Sequence, residues 1–113
     1  MYKQSPIFVK TFDFLKWIIS TTEKFPKSQR FFLAKRLNDA VFNFYETIVE
    51  VAIKKGRKQK ENLQKADAYL FNVRHYVRLS NEMGYISFKQ YKFASTSIEE
   101  IGRLIGGWMK KIK

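Results

Sequence analysis

The side chains able to do acid–base or metal chemistry are few in this chain and poorly spaced for it. His75 is the only histidine and there is no cysteine, which removes thiolate zinc sites, cysteine nucleophiles and disulfides together. Metal sites inside helical bundles use Glu-x-x-His pairs on facing helices, and here no glutamate has a histidine three residues on. Glu46 and Glu50 stand one helical turn apart, a spacing that can share a divalent ion. Lys54 follows four residues later, which makes them read as solvated helix carboxylates. A bundle nuclease wants an arginine several residues before its histidine, whereas Arg74 and His75 are adjacent and no later histidine exists. The expectation is a protein that is not an enzyme, with no catalytic residue, no metal site and no cofactor. A ribonuclease reading survives only through His75, whose loss would abolish any cleavage.

Charge is where the chain is informative. Twenty-two Lys and Arg against ten Asp and Glu leave a net charge of +12 on 113 residues. Such an imbalance repels itself in the folded monomer and attracts phosphate backbones or an acidic protein at long range. Lys54, Lys55, Arg57, Lys58 and Lys60 place five cations within seven residues, and they are the first candidates for nucleic-acid or protein contact, against the plainer reading of a solvated helix junction. Arg74 and Arg78 are the second. They lie one turn apart, beside Asp67 and Phe71 on one helix face, where a like-charged pair costs about 0.2–0.5 kcal/mol and so wants an anion. Glu82, four residues after Arg78, is the nearest candidate for that anion.

These charges ride on apolar residues repeating every three or four positions. Ser5 and Pro6 start a first helix that runs to about Glu23, because proline gives up nothing at the first helical position. Its expected stripe is Phe8, Phe12, Leu15, Ile19 and Thr22, with Ile7, Phe14 and Ile18 as a second edge. After Phe25 and Pro26, a second helix carries Ala34, Leu37, Val41, Phe44, Ile48 and Val51, with Gly56 as its C-terminal cap. A third has Leu63, Ala66, Leu70, Val73 and Val77 and ends at Gly84. Ser87 with Gln90 forms a capping box for a fourth, which carries Tyr91, Ala94, Ile98, Ile101, Ile105, Trp108 and Ile112. The chain is expected to be one domain over residues 1–113, all-α, an antiparallel up-down-up-down four-helix bundle.

Gly102, Gly106 and Gly107 interrupt the last helix, where each costs up to about 1 kcal/mol relative to alanine. Close approach of another helix, within the chain or from a second copy, is the expected compensation, with Trp108 supplying contact area beside Gly102 and Gly106. Phe42, Tyr45 and Val49 give the second helix another apolar edge, so more apolar surface is expected than one small bundle buries. That implies a homo-oligomer. Lys10, Asp13 and Lys16 break the apolar run from Ile7 to Ile19, so no membrane span is expected and the chain reads as cytoplasmic. The aromatics fall mostly on core stripes, which predicts few stacking platforms for bases.

Three stretches, FPKSQRFFLAKRL (Phe25–Leu37), ADAYLFNVRHYVRL (Ala66–Leu79) and IEEIGRLIGGWMKK (Ile98–Lys111), together resemble the accessory variability determinant (Avd) proteins of diversity-generating retroelements, over about residues 20–112. The resemblance implies a four-helix bundle that assembles into a pentameric barrel. It also implies association with the element's error-prone reverse transcriptase and its template RNA or DNA during mutagenic retrohoming. Arg74 and Arg78 match arginines in the corresponding helix, and Gly102, Arg103, Gly106 and Trp108 match the terminal-helix pattern. A related group, the bundle proteins of ribosomal RNA intervening sequences, is similar in fold and implies a structural or protein-interaction role without a reverse transcriptase. It usually carries Asn-Ile-x-Glu-Gly near the end of the second helix, where this chain reads Tyr45, Glu46, Thr47, Ile48, Val49, Glu50.

Overall fold

The computed structural model describes residues 5–54, 56 and 58–112. It contains four helices, α1 (Pro6–Thr22), α2 (Leu33–Ile53), α3 (Gln59–Glu82) and α4 (Phe88–Lys111), and a short 3₁₀ turn at Lys27–Gln29. Each helix packs on two others, in the cycle α1, α2, α3, α4 and back to α1. The whole measures 44 × 24 × 21 Å, so helices of 24 residues, about 36 Å long, lie along its length. Among the described residues, no helix is long and apolar enough to cross a membrane.

The core follows the three-four spacing closely in three helices. Leu37, Val41, Phe44, Ile48 and Val51 of α2, Leu63, Ala66, Leu70, Val73 and Val77 of α3, and Ala94, Ile98, Ile101 and Ile105 of α4 are all buried. The first helix departs from the expected stripe. Ile7, Phe8, Thr11, Phe14, Leu15 and Ile18 are buried, whereas Phe12 is 48% exposed and Ile19 only half-buried. The cause is that α1 packs against both α2 and α4, so its buried arc is centred between them and Phe12 is turned to the outer rim. Phe12 rests there against Tyr45 of α2, ring centres 6.0 Å apart.

Helix ends show which caps the local chemistry selects. Pro6 occupies the first helical position of α1, but the Ser5 hydroxyl makes no capping bond. Instead the Ser5 carbonyl accepts from the amides of Phe8 and Val9 at 3.0 and 3.2 Å. Gly56 does not cap α2 as the sequence suggests. The helix ends three residues earlier, the Lys54 amide donating to the Glu50 carbonyl at 2.8 Å. The side-chain amide of Gln59, from the next helix, donates to the Val51 carbonyl at 3.3 Å, satisfying a group that a glycine motif would otherwise serve. Gly84 does cap α3, with φ of +79°. The Tyr85 amide reaches the Ser80 carbonyl and the Gly84 amide reaches that of Asn81, a Schellman arrangement, and Tyr85 then lies on the buried Phe25 ring. The capping box of α4 is complete: the Gln90 amide donates to Ser87 Oγ at 3.1 Å and the Ser87 amide to Gln90 Oε1 at 2.8 Å.

Tertiary contacts on both sides fix α1. Asn38 Nδ2 donates to Thr22 Oγ1 and to the Ala34 carbonyl, both at 2.8 Å, tying the end of α1 to the start of α2. On the other side, Phe8 meets Trp108 edge-on, Lys10 bonds Glu100, and Trp17 meets Phe93. The start of α1 therefore lies beside the end of α4, and the end of α1 beside the start of α4.

Candidate nucleic-acid interface

The cation run lies at the junction of α2 and α3. Of its members, Lys54, Lys58 and Lys60 are exposed, while Lys55 and Arg57 lie outside the described residues. Lys54 reaches Glu50 at 3.7 Å, so one of the two paired glutamates is occupied by a lysine. No group of three potential metal ligands occurs among the described residues.

Folding brings to this end cations that are remote in sequence. A groove of about 720 Å³ opens between the start of α1 and the end of α4, with Ala52 and Gln59 from the junction on its wall and Ile7, Leu104 and Trp108 as apolar lining. Arg103 and Lys111 of α4 also line it, and Lys110 is exposed in the same last turn. As interface residues these three were not legible beforehand: some forty to fifty positions separate them from the Lys54–Lys60 run. The only trace was the pair of lysines at a helix C-terminus, where they complement the helix dipole.

Arg74 and Arg78 belong to a different region. From residue 60 to residue 76, α3 rises about 24 Å, so the structure does not join them to the junction cluster. Arg78 Nε donates to Glu82 Oε2 at 2.8 Å, the anion that the spacing called for. That hydrogen bond, reinforced by the Glu82 charge, raises the guanidinium above its usual range. Arg74 is exposed and has no ion pair among the described residues. Beside it, His75 Nδ1 donates to the Phe71 carbonyl at 2.9 Å, and the His75 ring lies 4.4 Å from that of Phe71.

The glycines of α4 do not answer to close packing inside the chain. A Cβ at Gly102 would make ordinary contact with Leu70 at 3.8 Å, and one at Gly106 or Gly107 would meet nothing within 4 Å. Trp108, half-buried, packs on Phe8 instead. The expectation of few stacking platforms is also corrected. Phe31, Phe71, Phe88 and Phe93 are exposed, Phe88 to 67%, because four helices of this length have too little core for the chain's nineteen aromatics.

A family model described as bAvd-like matches residues 7–112, reaching further into α1 than the resembling stretches do. No curated protein matches. Among solved structures, a protein of unknown function from the S23 ribosomal protein family of Bacteroides thetaiotaomicron shares the fold, with a TM-score of 0.83 at 19% identity over 92% of this chain and 95% of that one. With the four helices, the continuous three-four core and a family match over nearly its whole length, the chain belongs to the bAvd-like family.

Proposed function

We propose that this protein is a non-enzymatic accessory of a diversity-generating retroelement, working in the cytoplasm as an adaptor that holds template RNA or DNA and the element's reverse transcriptase on a basic surface. The observation that carries the reading is the convergence of Lys54, Lys58, Lys60, Arg103, Lys110 and Lys111 on one end of the molecule, from two separate parts of the sequence. Few carboxylates oppose them there, and a polyanion supplies the missing countercharge.

The helix contacts read as an up-down-up-down antiparallel bundle, and two of its faces support a ring of copies. A ring of more than two copies needs two different patches, one on each side of the protomer. Val9, Phe12, Phe42, Tyr45, Val49 and Ile53 form an apolar strip along α1 and α2, several of them largely exposed. The Gly102–Gly106 edge of α4, packed on Leu70 at Gly102 and open at Gly106, lies toward α3, on the opposite side of the helix cycle. An interface between these faces would offset the helix-propensity cost of the glycines and cover the strip.

The test is the salt dependence of binding to RNA and DNA of several sequences. With six to ten phosphate contacts, affinity should drop about 10³–10⁵ between 50 and 200 mM salt. Replacing Lys58 and Lys60 with glutamate should weaken binding to all sequences alike. A flat salt response, or an affinity untouched by these reversals, sinks the proposal.

A further inference from the structure

We propose that the cleft between α1 and α4 receives an unpaired nucleotide of a single strand, its base laid against Phe93 and its phosphates held by Lys89 and Lys92. This rests on the nucleic-acid reading above and adds where, and in which form, the strand is held.

The cleft encloses about 250 Å³. That is below the roughly 300–1,000 Å³ of sites for drug-sized ligands, and it suits one flat ring better than an extended chain. One wall is aromatic and braced: Phe14 stacks on Trp17 at an interplanar angle of 16°, and Trp17 meets Phe93 at 5.0 Å. Phe93 itself remains 49% exposed, so it has ring surface left to offer. One turn further along α4 from Phe93, the hydroxyls of Thr96 and Ser97 also line the cleft, and they can donate to or accept from a base edge.

Charge selects the ligand. The two carboxylates at the cleft are already held, Asp13 by Lys16 at 3.4 Å and Glu100 by Lys10 at 2.5 Å. Lys89 and Lys92, on the outer arc of the same stretch of α4, have no ion pair among the described residues. Lys92 lies over the exposed Phe88 ring, 5.8 Å from its centre. Cations interleaved with open aromatic rings are the means by which proteins hold single strands, whose bases are free to stack. A duplex keeps its bases paired and has none to insert. A protein partner would want continuous apolar surface, which the α1–α2 strip has and this cleft lacks.

Fluorescence anisotropy with labelled oligouridylate, oligothymidylate and a duplex of equal length tests the assignment. Phe93→Leu should weaken both single strands about fivefold to 100-fold and leave the duplex affinity unchanged, and Phe93→Trp should restore single-strand binding. Lys89→Gln with Lys92→Gln should weaken single strands and lower the salt slope by about two. Equal loss for single strand and duplex, or none for either, overturns the inference while the broader reading stands. The same holds if Phe93→Leu abolishes association with a second copy or the polymerase and spares oligonucleotides, which would assign the face to a protein. Failure of the wild type to bind any of the three at 50 mM salt overturns the broader reading and this one with it.

Discussion

The two grooves that flank α1 are built from similar residues and have opposite characters. Toward α2, the outward side chains are Val9, Phe12, Phe42, Tyr45 and Val49, an apolar strip with one ring contact and little polar interruption. Toward α4, Trp17 and Phe93 alternate with Thr96, Ser97 and the Lys10–Glu100 pair, and two unpaired lysines stand alongside. Apolar exposure on this basic bundle therefore takes two forms. A dry strip suits another protein surface, which removes it from water whole, while a wet aromatic cleft suits a flat ring carrying a charged tail.

The strongest way to break the comparison is to remove what both grooves lean on. Phe14 of α1 is buried in the core and backs the aromatic wall of the α4 groove. Phe14→Ala should cost about 3–5 kcal/mol of unfolding free energy, read from urea titrations, and should disable both grooves with the fold. Phe12→Ser with Val49→Ser acts on one side only. Phe12 lies at the rim and Val49 is half-buried against the core, so monomer stability should fall by about 1 kcal/mol or less per site. Self-association, followed by sedimentation velocity, should weaken by about 2 kcal/mol, with single-strand affinity unchanged. An unaltered oligomer would show that the α2 side is not where copies meet.

How much of this was legible follows from what each residue's neighbours are. The interiors of α2, α3 and α4 could be read directly, because each contributes one continuous stripe and three-four spacing marks it. In α1 the same spacing misplaced Phe12, because its apolar residues form two overlapping stripes, Phe8–Phe12–Leu15–Ile19 and Ile7–Phe14–Ile18, and the spacing does not say where between them the core is centred. Ser87 with Gln90, and Gly84, announced their caps because both motifs are local. Gly56 misled because the α2 end is satisfied by the Gln59 side chain, a tertiary contact. The cations at the junction were visible as a run. Arg103 and Lys111 were not visible as part of the same surface, because only the fold brings the end of α4 beside the α2–α3 junction.

Gly106 sharpens the comparison from the opposite side of the bundle. A methyl group there meets nothing within 4 Å among the described residues, so Gly106→Ala should stabilise the isolated protomer by about 1 kcal/mol through helix propensity. If the α1–α2 strip of a second copy seats against this edge, the same change should weaken the oligomer. The two readings are separated by melting the protein at concentrations above and below its association midpoint. A gain of the same size at both concentrations would remove α4 from the interface and leave the strip to another partner.

The smallest effect probes the wet groove alone. Lys10 donates a hydrogen bond to Glu100 and holds its carboxyl below the usual carboxylate range. A carboxyl whose pKa is lower folded than unfolded adds stability that is present above its unfolded value and lost as pH falls through the folded one. Glu100→Gln should therefore melt slightly below the wild type near pH 7, and the two curves should converge in acid, with a shallower acid arm for the variant. Both side chains are exposed, so the shift is modest. Its larger consequence lies in binding, because the substitution frees the Lys10 ammonium at the edge of the cleft. Single-strand affinity should rise and its salt slope steepen by about one, with self-association through the α2 side unmoved. If the single strand is indifferent to that added charge, its phosphates do not pass the α4 groove, and the contrast between the two sides of α1 reduces to packing.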